Sequence, residues 1–152
     1  MSTKRTREIV VGFDGSSASH AALRWAISRA NRDDATVTAV EVTHPSRLAP
    51  GSSYAVQPYG VAPPIERASR RSSLHEAIQA ARGPRVSTPV VEVRVDGEPG
   101  VELARIAEGA AMLVLGHTPH TRISQLILGS TGADCLRHAR CPVVFIPADG
   151  IY

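Results

Sequence analysis

Short runs of β-branched residues alternate along this chain with longer segments of helical periodicity, and this alternation restricts the folds open to it. The predicted strands are residues 7–12, 35–42, 89–95, 111–115 and 142–147. The predicted helices are residues 17–34, 65–82, 101–109 and 130–139. Strands that alternate with helices form right-handed βαβ crossovers, so the chain is predicted to be an α/β protein with a parallel sheet covered on both faces.

Two of the predicted strands are continuously apolar, which indicates burial on both faces of the sheet. Residues 111–115 read AMLVL and residues 142–147 read PVVFIP. Neither run approaches the about 18 apolar residues that span a bilayer, and no apolar signal segment follows the polar residues 1–6, which are expected to be a tail. We therefore expect one domain over residues 1–152, cytoplasmic, with no membrane partner.

The excess of basic residues is too small and too dispersed to predict a nucleic-acid partner. Lys and Arg number 17 against 14 Asp and Glu, which gives a net charge of +3. A nucleic-acid-binding domain usually concentrates its basic residues on one face. The two cysteines, Cys135 and Cys141, match no metal or redox motif and are predicted to be reduced, small, buried side chains.

One segment interrupts the alternation. Residues 43–64 contain five prolines and two glycines, which forbids a regular element and predicts a long, variable loop. We interpret it as an insertion at the edge of the domain and not as a second domain.

The loops that follow three of the strands are predicted to meet at one crevice. Parallel sheets bind ligands beyond the carboxyl ends of their strands, where the strand order reverses. Those ends carry residues 12–16, 42–44 and 116–131. Gly129, Ser130 and Thr131 begin a helix whose unpaired N–H groups and positive dipole end suit a phosphate. Ser130 could equally cap its own helix, and the residues alone leave both interpretations open.

The motifs at these strand ends resemble those of the universal stress protein family. Residues 10–16 (VVGFDGS) match the family's first strand and its Asp-Gly-Ser turn, residues 96–99 (DGEP) resemble the turn after its third strand, and residues 141–144 (CPVV) resemble the start of its last strand. The family's nucleotide loop is Gly-x-x-Gly, nine residues, then Gly-Ser or Gly-Thr. Here Gly116 takes the first place, Pro119 stands where the second glycine is expected, and Gly129 and Ser130 close the motif.

This resemblance, which covers residues 8–147, implies a fold and a ligand. The fold is Rossmann-like and similar to that of the adenine nucleotide alpha hydrolases, with three α/β/α layers and a five-stranded parallel sheet of order 3-2-1-4-5. The ligand is ATP, with magnesium near Asp14 where a nucleotide carries the metal. The implied nucleotide-binding residues are Gly12, Asp14, Val42, Gly116, His117, Arg122, Gly129, Ser130 and Thr131. Asp14 has an alternative role, because an Asp-Gly turn uses the carboxylate to hold its own amides.

Pro119 predicts weaker binding than an intact motif would give. Proline lacks a backbone N–H and fixes φ near about −65°. One lost charge-assisted hydrogen bond costs roughly 1.5–3 kcal/mol, which is about ten- to hundredfold in affinity. His117, His120 and Arg122 are candidates to replace the lost donor. The two histidines lack further ligands nearby, so no metal site of their own is predicted.

Two functions stay open. The first is a stress-response regulatory protein that binds ATP and acts through its bound state, with at most slow ATP hydrolysis. The second is a protein that binds no nucleotide and acts through dimerisation and a protein partner, with Pro119 or the rings of His117 and His120 filling the phosphate space. A homodimer through the last strand, residues 143–146, is expected under both, because the resemblance implies that edge and an exposed apolar edge strand invites aggregation.

Overall fold

A computed structural model of the chain describes residues 7–43, 64–118 and 129–149, with the backbone alone for residues 64–72. The strands are β1 (Glu8–Gly12), β2 (Thr36–Thr43), β3 (Val90–Asp96), β4 (Met112–His117) and β5 (Val143–Pro147). The helices are α1 (Ser17–Asp33), α2 (Pro64–Arg82), α3 (Pro99–Ile106) and α4 (Ser130–His138). Among these helices, none has the length and apolar character that crossing a membrane requires.

All five strands are parallel, in the order β3-β2-β1-β4-β5. This arrangement confirms the predicted fold. The chain moves outward from β1 through β2 to β3, then returns to place β4 on the other side of β1, so the strand order reverses between β1 and β4. Parallel sheets leave a crevice at such a point, outside the carboxyl ends of the strands.

The observed elements differ from the predicted ones mainly at their ends. β4 continues to His117, two residues beyond its predicted end, because it pairs with β5 as far as Pro147. α3 begins at Pro99, where a missing N–H costs no intrahelical bond, and ends at Ile106 instead of residue 109.

The sheet separates the core into two clusters, because successive strand side chains point to opposite faces. On one face Ile9, Val11 and Phe13 pack with buried residues of α1 and α2. On the other face Val10, Leu113 and Leu115 pack with α3 and α4. The buried surface of α1 consists largely of alanines, which let this helix lie close to the sheet: Ala18, Ala21, Ala22, Ala26 and Ala30.

Trp25 and Arg29 show which sides of α1 face the core and the surface. Trp25 packs against the core cluster. Arg29 lies outside the core and forms an ion pair with Asp33, with 2.7 Å between Nε and Oδ2. Ala30 takes the buried position that continues the alanine stripe.

Both cysteines are free thiols in different surroundings, and we expect them to react at different rates. Cys135 is fully buried, with its Sγ 3.7 Å from the Gly100 carbonyl oxygen, whereas Cys141 is half-buried. Burial, with smaller contributions from Asp134 and Cys141, raises the pKa of Cys135 to about 11. Burial also raises the pKa of Cys141. At pH 8 the reactive thiolate of Cys135 is therefore scarce as well as shielded.

Maleimide labelling of the native protein, followed by peptide mass spectrometry, should modify Cys141 at least about tenfold faster than Cys135. Labelling in denaturant should remove the difference. Equal rates in the native protein would contradict the buried position of Cys135.

Candidate functional site

A cavity of about 320 Å³ opens at the carboxyl ends of β1, β2 and β4, where the strand order reverses. Its walls also include the first turns of α1, α3 and α4. Eight residues predicted to bind nucleotide lie in these walls: Gly12, Asp14, Val42, Gly116, His117, Gly129, Ser130 and Thr131. Arg122, together with Pro119 and His120, lies outside the described residues.

The turn between β1 and α1 is held by its own side chains. The Ser16 N–H donates to Asp14 Oδ1 at 2.9 Å, and Gly15 adopts a φ of 84° that favours glycine. Ser16 then caps α1, because its Oγ accepts a hydrogen bond from the Ser19 N–H at 3.1 Å. Asp14 therefore has the structural role that an Asp-Gly turn predicts, and its position in the cavity wall leaves it available to a ligand as well.

Gly116 is required by packing. A Cβ atom at this position would lie 2.3 Å from the Ala18 carbonyl carbon and 2.5 Å from the Ser19 nitrogen. Cβ atoms do not approach backbone so closely, so the absence of a side chain lets the first turn of α1 rest on the end of β4. Gly12 has a similar role, since its Cβ would lie 2.9 Å from Leu115 Cδ2. The sequence motif predicts phosphate contact at Gly116 but does not reveal this packing.

Gly129 differs from Gly116, because a Cβ atom at Gly129 would meet no heavy atom of the described residues within 4 Å. Gly129 is the N-cap of α4, with no side-chain hydrogen bond to the helix. Ser130 is the first helical residue, so it does not cap the helix. The first intrahelical bond joins the Ala133 N–H to the Gly129 carbonyl oxygen at 3.0 Å.

The first turn of α4 is consequently an electropositive surface at the cavity. The N–H groups of Ser130, Thr131 and Gly132 precede the first donor of the helical ladder, and none of them has an intrahelical partner. No acidic side chain occupies this turn. All three residues line the cavity. Unpaired N–H groups at a helix start, with no competing carboxylate, suit an anionic ligand.

The hydrogen-bond ladder between β1 and β2 ends before β2 does. Its last bond runs from the Phe13 N–H to the Val40 carbonyl oxygen, at 2.8 Å. The backbone groups of successive strand residues face opposite sides, so those of Val42 lie on the same side as those of Val40, beyond the end of β1. Among the residues that the structure describes, none hydrogen-bonds these two groups. Val42 thus offers one donor and one adjacent acceptor to the cavity.

Between the Val42 backbone and α4, the cavity has an apolar lining that the sequence did not identify. It is formed by Phe13, Val40, Leu103, Leu115 and Phe145. Phe145 pairs with Leu115 in the β4–β5 register, so both side chains point to the same face of the sheet. The alternation of side chains along the strand could therefore have identified Phe145 as a lining residue. An apolar surface between a polar backbone edge and an anion site suits a planar base joined to a phosphate.

Few charged groups line the cavity. Within residues 7–43, 64–118 and 129–149, the lining side chains include one carboxylate, Asp14, and one base, His117. In the same part of the chain no cluster of three His, Cys, Asp or Glu residues could hold a metal ion. Asp14 is accordingly the one carboxylate among the described wall residues that could contact a nucleotide-bound magnesium. His117 lines the cavity together with the first turn of α4.

Comparisons with known proteins identify a family that this chain resembles. A family model described as the universal stress protein family matches residues 5–147. Universal stress protein Rv1996 of Mycobacterium tuberculosis is 30% identical in an alignment 162 residues long, which covers 98% of this chain and 51% of the relative. The chain therefore spans about half the length of the curated relatives that it matches.

Solved structures show the same fold. A universal stress protein in complex with cAMP matches with a TM-score of 0.62 and 23% identity, covering 93% of this chain and 97% of the other. The universal stress protein from Archaeoglobus fulgidus in complex with dAMP matches with a TM-score of 0.65 and 21% identity, covering 91% of this chain and 96% of the other.

Proposed function

This chain belongs to the universal stress protein family, and from that premise we propose that it is a stress-response regulatory protein that binds an adenine nucleotide in the cavity described above. ATP is the ligand implied by the resemblance, at an affinity reduced by Pro119. The cAMP and dAMP complexes of related structures support adenine nucleotides as the ligand class. The ligand would act by stabilising one state of the protein, and a partner would recognise that state.

The observation that carries this proposal is the backbone of Val42 beyond the end of β1, where no described residue hydrogen-bonds its N–H or C=O group. Adenine presents the N6 amino donor beside the N1 acceptor, which complements a backbone C=O next to an N–H. Guanine presents an acceptor, O6, beside a donor, N1–H, so it meets Val42 with the polarity reversed. A hydrogen-bonding site rejects a ligand whose polar groups leave its own unpaired.

The far end of the cavity supports the same ligand class. A base placed against Val42 and the apolar lining would direct its ribose toward Asp14 and its phosphate toward the first turn of α4. The N–H groups of Ser130, Thr131 and Gly132 then supply donors to the phosphate. Gly129 leaves open space beside them.

Calorimetric titration tests the proposal directly. ATP and AMP, each with and without magnesium, should bind in the micromolar range, and GTP and GMP should bind at least about tenfold more weakly because two hydrogen bonds are mismatched. Equal affinities for the adenine and guanine nucleotides would contradict recognition by Val42.

The Pro119→Gly variant separates this function from its rival. If the natural protein binds no nucleotide and Pro119→Gly binds ATP, the phosphate site is intact but lacks one donor, and the function belongs to protein partners. The homodimer through residues 143–146, the single-domain organisation, the cytoplasmic location and the absence of catalysis beyond slow ATP hydrolysis stay predictions under both functions.

A further inference from the structure

The imidazole of His117 lies on the same face of the sheet as the anion-binding turn of α4. Leu113 and Leu115 of β4 belong to the core cluster beneath α3 and α4, whereas Gly116 contacts the backbone of α1 on the other face. Strand side chains alternate, so His117 follows Leu115 onto the α4 side. The His117 carbonyl oxygen accepts the Ala148 N–H at 3.1 Å, which fixes the backbone at this point.

His117 is also the one base among the described side chains that line the cavity. The acidic groups on the elements around it are Asp14 before α1, Glu98 and Glu102 at the start of α3, Asp134 on α4 and Asp149 after β5. Glu102 pairs with Arg105 at 2.7 Å, and Asp134 pairs with Arg137 at 3.2 Å. Asp14 lies in the opposite wall, in the turn that it holds.

We infer that His117 binds the nucleotide phosphate as an imidazolium, so that ligand binding takes up a proton at this residue. The inference rests on the proposed nucleotide site. Histidine changes its charge between about pH 5 and 8, and a phosphate at the first turn of α4 favours the charged form of a nearby imidazole. Affinity is then highest where the imidazolium is populated and falls as the pH rises and the ring becomes neutral. The site thereby reports acidification as well as nucleotide concentration.

The probe for the test is cAMP, because a phosphodiester keeps a single charge across this range whereas a phosphomonoester releases its second proton near about pH 6. Calorimetry at pH 6, 7 and 8 should show an affinity that falls severalfold over the series, up to the limit of about tenfold that one unit of differential interaction sets. At pH 7, titrations in HEPES and in Tris, which differ in ionisation enthalpy, should report net uptake of a fraction of one proton.

Matched variants assign that proton. His117→Gln keeps a polar side chain but cannot titrate, so both the proton uptake and the pH dependence should disappear. His138→Gln removes an exposed histidine at the far end of α4, outside the cavity, and should change neither.

These experiments distinguish a failure of the proposed His117 role from a failure of the proposed nucleotide site. Nucleotide binding that involves no proton uptake in the natural protein, or uptake that persists in His117→Gln, overturns the role of His117 and leaves the nucleotide site standing. No binding of cAMP, AMP or ATP at any of the three pH values overturns the nucleotide site and this inference together. The proton count of the natural protein needs no variant, so the test holds even if His117→Gln folds poorly.

Discussion

Gly129→Val is expected to abolish adenine nucleotide binding while the protein stays folded. Gly129 has a φ of −59°, which valine adopts without backbone strain, and a Cβ there meets no atom within 4 Å in the part of the chain that the structure describes. The two methyl groups of valine would instead occupy the space beside the N–H groups of Ser130 and Thr131. Because that is where the phosphate is proposed to lie, the affinity should fall at least about hundredfold, or roughly 2.7 kcal/mol.

Gly129→Ala is the graded control for this variant. Its single methyl group removes less of the space, so its affinity should lie between those of the natural protein and Gly129→Val. Valine and alanine are both poorer N-caps than glycine, at a cost of about 1 kcal/mol or less, so each variant should melt within a few degrees of the natural protein. Undiminished binding by Gly129→Val in a calorimetric titration would mean that the phosphate lies elsewhere.

The fold could be predicted from the sequence because its signals are local and mutually consistent. Each of the five strands has β-branched or continuously apolar residues, and turn formers separate it from a segment with helical spacing. The strand order came from the resemblance, because periodicity alone does not say on which side of β1 the returning strand β4 pairs. The ends of elements depend on tertiary contacts, as at His117, where pairing with Pro147 extends β4 beyond its apolar run.

The position of the candidate site could be predicted from the sequence, but the physical role of each of its residues could not. The rule that ligands bind beyond the carboxyl ends of parallel strands brought together the loops that line the cavity. A glycine in a sequence motif can make room either for a ligand or for a packed helix, and the sequence alone does not distinguish these two roles. Phe145 shows the same limitation. It belongs to the strand predicted to form the dimer edge, yet its side chain lines the cavity on the α4 side.

Gly116→Ala is expected to have the largest effect on stability, although alanine usually strengthens a strand relative to glycine. The added methyl group would lie 2.3 Å from the Ala18 carbonyl carbon and 2.5 Å from its oxygen, and these backbone atoms can move only if α1 moves. Overpacking typically costs about 1–3 kcal/mol. A clash with the backbone of a helix whose next turns are fully buried belongs at the upper end, which corresponds to a fall in melting temperature of about 6–12 °C.

The matched control is again Gly129→Ala, which adds the same methyl group to the other end of the same motif, where no atom of residues 7–43, 64–118 or 129–149 lies within 4 Å. Circular dichroism melts of the two variants should therefore diverge: Gly116→Ala strongly destabilised, Gly129→Ala close to the natural protein. Equal melting temperatures would refute the close contact between β4 and α1. If the melting temperatures diverge, the two glycines of the motif have different roles. Gly116 allows α1, which forms part of the cavity wall, to pack against β4, and Gly129 leaves open the space that a phosphate would fill.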